Sequence, residues 1–107
     1  MAKYLLIQSR SPFESGDAAY LYTLIQELVD CGDVVTLYLV QNGVLSARRG
    51  AREVGLSGIA HEVTVLADAF SLAERSIADE QLLPPVKPGT LDIVVDALAA
   101  GDKVIWH

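Results

Sequence analysis

The stretch "KYLLIQS" at residues 3–9 is an apolar run that ends in polar residues. A strand that is covered on both faces has this character, because neither of its faces meets water. The stretch "DVVTLYLV" at residues 33–40 is rich in β-branched and aromatic residues and predicts a second strand. Strands buried on both faces are typical of parallel sheets, so these two stretches favour a parallel α/β fold.

A helical pattern lies between the two predicted strands. Its apolar residues recur at three- and four-residue spacing, which places them on one face of a helix: Leu21, Leu24, Ile25, Leu28 and Val29. The pattern predicts a helix that begins near Asp17 and stops at Gly32, where a left-handed residue commonly follows a helix.

Strand and helix patterns continue to alternate along the chain. They predict a short helix over residues 45–58, a strand over 60–68, two helical turns over 70–77 and a last strand over 103–107. Consecutive parallel strands need crossover connections, which the helices supply. The sequence therefore predicts one domain over residues 1–107: a flavodoxin-like three-layer α/β sandwich with a mostly parallel sheet of about five strands.

Residues 78–101 carry two further expectations. The prolines at 84, 85 and 88 exclude a helix interior and a central strand, but leave room for a short edge strand. Thr90 is expected to cap a helix that ends at Gly101. The apolar residues of this helix are expected to point inward: Leu91, Val94, Val95 and Leu98.

Composition narrows the functional classes. The chain has 107 residues, of which 51% are hydrophobic, and a formal net charge of −6. This charge opposes binding to a phosphate backbone, so we expect no direct nucleic-acid partner. The first residues have too short an apolar run for a signal peptide, and no stretch approaches the roughly 18 apolar residues of a membrane span. We therefore expect a cytoplasmic protein that is not inserted in a membrane.

Cys31 is the only cysteine of the chain, so the chain cannot form an internal disulfide. It follows Leu28 by three residues on the inward stripe of the first helix, near the negative end of the helix dipole, and Asp30 and Asp33 flank it. These features disfavour a thiolate. We interpret Cys31 as a buried packing residue, with a role as a minor sulfur acceptor as the alternative.

Ligands of such sheets collect just past the carboxyl ends of the strands. We call this edge the rim; it is predicted at residues 9–14, 41–44 and 68–71. Pro12, Phe13 and a single glycine make the first rim segment a poor match to a glycine-rich phosphate loop, so we expect no cofactor. His61 and His107 have no partners at ligand spacing, so we also expect no metal site.

Five segments together resemble the DsrE/DsrF/DsrH family of sulfur-relay proteins, and its DsrH branch, which includes the TusB proteins, in particular. They are "LIQSRSPFES" at 6–15, "LYLVQNGV" at 37–44, "VTVLADAFSLAERSI" at 63–77, "LDIVVDAL" at 91–98 and "DKVIWH" at 102–107. The resemblance rests on their order and spacing, and it spans nearly the whole chain.

The resemblance implies a flavodoxin-like subunit that associates with DsrE-like and DsrF-like subunits, or with copies of itself. Such complexes pass sulfur as a cysteine persulfide, in sulfur oxidation or in tRNA 2-thiouridine formation. The carrier cysteine of the DsrE-type subunit lies just past the third strand, a place that falls at Asp68 or its neighbours in this chain. The cysteine that some DsrH proteins carry in the first helix would fall near Tyr20 or Leu21. Neither place holds a thiol here.

The sequence therefore indicates an accessory subunit that does not itself carry sulfur, rather than an enzyme in its own right. The residues expected around a relay cavity are Ser9, Arg10, Ser11, Asn42, Asp68 and Arg75. Arg10 and Arg75 would hold the anionic persulfide of a partner. The alternative is a stand-alone homo-oligomer that binds a small ligand at the rim and has no role in sulfur transfer.

Overall fold

The computed structural model describes residues 2–10, 17–49 and 56–106. The strands are β1 (Lys3–Gln8), β2 (Val34–Leu39), β3 (Thr64–Asp68), β4 (Lys87–Gly89) and β5 (Lys103–Trp106). The helices are α1 (Asp17–Asp30), α2 (Leu56–Ile59), α3 (Ala69–Glu74) and α4 (Asp92–Ala100), with 3-10 turns at Gln41–Ala47 and Asp79–Gln81. All strand pairs are parallel, and the order across the sheet is β4-β3-β2-β1-β5. The predicted fold class is confirmed.

The two faces of the sheet are covered unequally. On the first face, side chains of β1, β2 and β3 pack against α1, the 3-10 turn that follows β2, α2 and α3; buried members of this cluster include Leu6, Leu37, Val65, Leu21, Ile25, Val44, Leu56 and Leu72. On the second face, Leu5, Ile7 and Tyr38 pack mainly against α4, through Ala97 and its neighbours. Among the described residues, the nine-residue helix α4 is therefore what covers the second face.

Helix α1 ends as its sequence predicts. Leu21 and Ile25 are buried, and Gly32 has a φ of +87°. The Gly32 N–H donates to the carbonyl of Val29 at 2.9 Å, and the Asp33 N–H donates to the carbonyl of Leu28 at 3.0 Å. This pair of bonds is the Schellman arrangement, in which a glycine without a Cβ reverses the chain after a helix.

Cys31 is exposed, so the prediction that it packs inward is wrong. Helix α1 ends at Asp30, and Cys31 is the half-helical residue just before the left-handed turn at Gly32. The chain leaves the helix at this point, so residue 31 no longer follows the inward stripe that Leu28 belongs to. The thiol lies at the amino end of β2, about 17–20 Å from the rim given the rise of a six-residue strand.

Helix α4 differs from its prediction in two ways. Its N-cap residue is Leu91, which makes no side-chain cap, and not Thr90 as predicted. Thr90 contributes only its backbone carbonyl, which accepts from the Ile93 N–H at 3.2 Å. Three of the four residues expected inward are largely exposed: Leu91, Val95 and Leu98, at 64%, 60% and 62%. The helix is apolar around most of its circumference, and the sheet takes the side that carries Ile93, Val94 and Ala97.

The segment predicted as a helix over 45–58 contains little helix in the described residues. A 3-10 turn over Gln41–Ala47 replaces its start, residues 50–55 lie outside the described residues, and α2 supplies the end. Arg48 pairs instead with Leu82 in an antiparallel bridge, which ties this loop to the segment before β4. The third strand is shorter than predicted because residues 61 and 62 form a turn. The short edge strand that the prolines allow is β4.

No helix in the described ranges combines the length and the apolar character that a membrane crossing requires.

We predict that Gly43→Ala lowers the free energy of unfolding by about 1–3 kcal/mol, the usual cost of overpacking. A Cβ at residue 43 would overlap the backbone carbonyl of Gln8, which already accepts from the Val40 N–H at 2.9 Å. The matched control is Gly58→Ala, because a Cβ there meets no atom within 4 Å. Urea unfolding of both variants checks the prediction, which fails if the two shift the midpoint equally.

Candidate functional site

The carboxyl ends of the three central strands are level with one another. Gln8 of β1 pairs in register with Leu39 of β2, and Leu39 pairs with Ala67 of β3. The residues that follow these strands therefore emerge along one edge, as the rim prediction requires. Of the predicted site residues, Ser11 lies outside the described residues.

A hydrogen-bonded cluster forms around Asp68, the last residue of β3. The Tyr38 hydroxyl donates to Asp68 Oδ1 at 2.5 Å. Asp68 Oδ2 accepts from the backbone N–H of Ser71 at 3.0 Å and from its hydroxyl at 2.8 Å. The Ser71 hydroxyl in turn accepts from the Gln41 N–H at 2.8 Å. This cluster joins β2, the 3-10 turn that follows it, β3 and α3.

The cluster sets the protonation states of its two acidic groups. Burial raises the pKa of the Tyr38 hydroxyl far above its ordinary value, and the Asp68 carboxylate adds to the rise. Burial alone would raise the pKa of Asp68 as well, but the hydrogen bonds from Tyr38 and Ser71 outweigh it and leave the pKa of Asp68 below its ordinary value. At neutral pH Asp68 is therefore an anion and Tyr38 a neutral donor.

Arg75 and Asn42 form a second contact beside this cluster. Arg75 Nε and Nη2 donate to Asn42 Oδ1 at 3.3 and 2.9 Å, and Nη1 donates to the Ser71 carbonyl at 3.2 Å. Three predicted site residues, Asn42, Asp68 and Arg75, are thus brought together through Ser71. Arg75 lies 3.6 Å from Glu74, an exposed pair of small energetic value.

Ser9 and Arg10 lie on a different part of the rim. Together with Gln41 and Asn42 they line a polar recess of about 460 Å³, which we call the basic recess. Arg10 is exposed there. Of the predicted residues, the recess contains Ser9, Arg10 and Asn42, but neither Arg75 nor Asp68. The five predicted residues that the structure describes therefore do not share one cavity.

A larger cavity of about 530 Å³ opens on the second face, between the rim and α4. We call it the second-face cavity. Its lining comes from the carboxyl ends of β1, β2, β3 and β5, from the start of α3 and from the amino half of α4: Ile7, Tyr38, Val40, Gln41, Asp68, Phe70, Ser71, Glu74, Leu91, Val94, Val104 and Trp106. Most of this lining is apolar. Asp68 is one of its few polar residues, the others being Tyr38, Gln41, Ser71 and Glu74.

Sequence reasoning missed Tyr38 and Ser71 as site residues. Ser71 had a local signal, because Asp68 and Ser71 have the spacing of an N-cap residue and the N–H that it binds. Tyr38 had none, because its partner Asp68 is thirty residues away on a neighbouring strand. Among the described residues, no group of three or more His, Cys, Asp and Glu side chains is placed to hold a metal ion.

No family model matches the chain, and no curated protein matches it in sequence. Solved structures do match. The ychN protein from E. coli superposes with a TM-score of 0.85 at 20% identity, over 100% of both chains. MTH1491 from Methanobacterium thermoautotrophicum, a protein of unknown function, superposes with a TM-score of 0.81 at 14% identity, also over 100% of both chains. At these identities the likeness establishes the fold alone.

We predict that Asp68→Asn lowers the free energy of unfolding at pH 7 by about 1–3 kcal/mol, because one amide oxygen cannot serve the donors that two carboxylate oxygens serve. The folded-state pKa of Asp68 is depressed, so its stabilising contribution is complete above the unfolded-state pKa of about 3.9 and is lost as the pH falls through the folded value. The difference between the two proteins should therefore be constant from pH 7 to 5 and shrink below pH 4.

Denaturant unfolding at each pH measures this difference. Glu62→Gln, which removes an exposed carboxylate elsewhere, is the control and should show no comparable change. A difference between Asp68→Asn and the unaltered protein that stayed constant into strong acid would contradict the assignment of the anion.

Proposed function

We propose that this chain is an accessory subunit of a cytoplasmic sulfur-relay complex of the DsrE/DsrF/DsrH kind, and that it does not itself carry the sulfur. The observation that carries the proposal is Asp68. It ends the third strand, at or next to the place where the resemblance implies a carrier cysteine, and its carboxylate is engaged by Tyr38 and Ser71. A carboxylate cannot form a persulfide, so the sulfur has to belong to another chain.

Cys31 is badly placed to replace the missing carrier. It lies at the amino end of the sheet, opposite the rim. Its flanking acids are both engaged: Asp30 accepts from Gln26 at 3.0 Å, and Asp33 accepts from the Ala2 N–H at 2.9 Å. The thiol is exposed, so its position and its acidic neighbours, rather than burial, argue against a role in the relay.

The basic recess is where a partner's persulfide would meet this subunit. Arg10 is exposed in the recess, next to the amide of Asn42 that Arg75 holds in place. Guanidinium and amide N–H groups stabilise an anionic sulfur acceptor or donor by charge-assisted hydrogen bonds. The acceptor pathway would be sulfur oxidation or tRNA 2-thiouridine formation, with no direct contact between this acidic chain and the tRNA.

The exposed stripe of α4 supports association with another subunit. Leu91, Val95 and Leu98 are four and three residues apart, so they form one continuous apolar strip on the helix surface. Contiguous exposed apolar surface on a small protein commonly marks an interaction site. We assign this strip to contact with a DsrE-like or DsrF-like subunit, or with a second copy of this chain.

The first expected outcome concerns Cys31. In the complex assembled with its DsrE-like and DsrF-like partners, Cys31→Ser should transfer labelled sulfane sulfur at the rate of the unaltered complex, because no step uses this thiol. Serine replacement of the partner's carrier cysteine, the positive control, should abolish transfer. Loss of transfer on Cys31→Ser would overturn the non-carrying role.

The second concerns assembly. The double variant Val95→Lys with Leu98→Lys places two charges in the apolar strip and should weaken association by about tenfold or more, since buried charge without a partner is strongly unfavourable at an interface. Ala100→Lys is the control, because Ala100 is exposed on α4 but is five residues from Val95 and two from Leu98, and so lies off the strip. Native mass spectrometry of complexes captured from source cells, with the subunits identified by peptide mass, checks the result. Equal capture by all three proteins would reject the assigned surface.

The alternative function, a stand-alone small-ligand-binding protein, is favoured by the second-face cavity. A small molecule that copurifies in stoichiometric amount, together with a failure to capture any relay subunit from source cells, would support the alternative over the accessory role.

A further inference from the structure

The second-face cavity has the size and character of a small-molecule site. Its volume of about 530 Å³ falls in the range of roughly 300–1,000 Å³ that is common for such sites. Its apolar walls come from several elements, including Val40 of the β2 end, Val94 of α4 and Val104 of β5. A few polar groups converge at one end, which is the usual arrangement for fixing the orientation of a ligand.

The charges on the described lining of the cavity are of one sign. Among the described residues, its carboxylates are Asp68 and Glu74, and no lysine, arginine or histidine belongs to this lining. Within the described ranges no cation pairs with Asp68. The lowered pKa of Asp68 keeps this carboxylate ionised at neutral pH. An uncompensated anion beside apolar walls attracts a cation more strongly than it would in open water.

Asp68 also has a free place for a donor. A carboxylate offers about four lone-pair positions. Oδ2 accepts two hydrogen bonds from Ser71, whereas Oδ1 accepts one, from Tyr38. One position on Oδ1 therefore remains. Because the other three bonds hold the carboxylate rigidly, a donor that binds there meets a preorganised acceptor.

Aromatic rings complete the cavity. Phe70 and Trp106 belong to the lining and are 70% and 65% exposed, so their surfaces are available to a ligand. Aromatic faces attract ammonium groups and also pack against apolar or aromatic bodies.

We propose that the second-face cavity binds a small organic cation: a protonated amine on an apolar or aromatic body, whose ammonium N–H donates to Asp68 Oδ1 while the body packs against Val40, Val104 and Trp106. On the described lining an anionic ligand would meet the carboxylates of Asp68 and Glu74 and no cation, because Arg75, which lies 3.6 Å from Glu74, is not part of that lining. A purely apolar ligand would cover the Asp68 carboxylate without pairing its charge, which is energetically unfavourable. The inference goes beyond the relay role and does not depend on it.

The test uses the whole chain and three probes of the same shape and different charge. They are 2-phenylethylamine, which is a cation at pH 7, neutral 2-phenylethanol and anionic 3-phenylpropanoate. Trp106 is the single tryptophan of the chain and lines the cavity, so its fluorescence reports occupancy directly. We expect saturable binding of the amine, about tenfold or more tighter than the alcohol, which is the scale of one charge-assisted hydrogen bond. The propanoate should bind most weakly.

Variants test the role of Asp68 in the same assay. Asp68→Asn keeps the shape and removes the charge, and it should reduce the preference for the amine over the alcohol to near unity. Glu62→Gln, which removes one carboxylate away from the cavity, should leave the preference unchanged. Circular dichroism checks that each variant is folded. If a variant does not fold, the comparison of the three probes on the unaltered chain still tests the proposal.

Three results would overturn the proposal: equal affinity for amine and alcohol, tighter binding of the propanoate, or no saturable signal with any probe at millimolar concentration. Amine binding that weakens as the protein concentration rises would also overturn it, since the cavity would then belong to a contact between copies of the chain. Sulfur transfer is not measured in this assay, so its outcome leaves the relay proposal to its own test.

Discussion

The strand order β4-β3-β2-β1-β5 is the constraint on which the rest of the molecule depends. Right-handed crossovers that step in one direction from β1 to β4 place their helices on the same face of the sheet. Only the connection from β4 to β5 returns across the other face, and it contains α4 alone. A crossover helix runs roughly along the strands and is about 10–12 Å across with its side chains, whereas five strands span about 19–24 Å. Within the part of the chain that the structure describes, the second face is therefore incompletely covered, and the cavity lies where this cover ends.

This unequal cover explains what the sequence could predict and what it could not. The strands and α1 were predictable because the sequence pattern of each shows which of its faces are buried. In β1 the residues of both faces are apolar, and in α1 a single apolar stripe ends at Gly32. The orientation of α4 was not predictable from periodicity. Its sequence "DIVVDALAA" is apolar on nearly every side, so the pattern cannot say which side meets the sheet. The sheet selects Ala97 and its neighbours, and the remaining apolar strip faces outward.

The candidate site likewise contains residues that the sequence could predict and residues that it could not. The rule that ligands collect beyond strand ends placed Asn42 and Asp68 on one edge. In the structure Arg75, which follows α3, joins them there through Asn42 and Ser71. It could not reveal that Tyr38 closes a hydrogen bond across two strands, because that contact depends on register. It also could not reveal Trp106 as a cavity residue, since only the placement of β5 beside β1 brings the end of the chain to the rim. The prediction that Cys31 is buried was wrong for a different reason, because it extended the apolar stripe of α1 one residue past the end of the helix.

The two recesses of the rim have opposite electrostatic character, and this difference separates their possible roles. An anionic persulfide that approached over the second-face cavity would meet Asp68 and Glu74, and like charges at this range repel. The same group approaching the basic recess would meet Arg10 and the amide of Asn42. The net charge of −6 strengthens this contrast, because a local basic patch in an acidic chain is where an anion is least disfavoured. In the proposed role no thiol is needed at Asp68. The carboxylate ties β2, β3 and α3 together through three hydrogen bonds, and its charge would direct an anionic cargo to the other side of the rim.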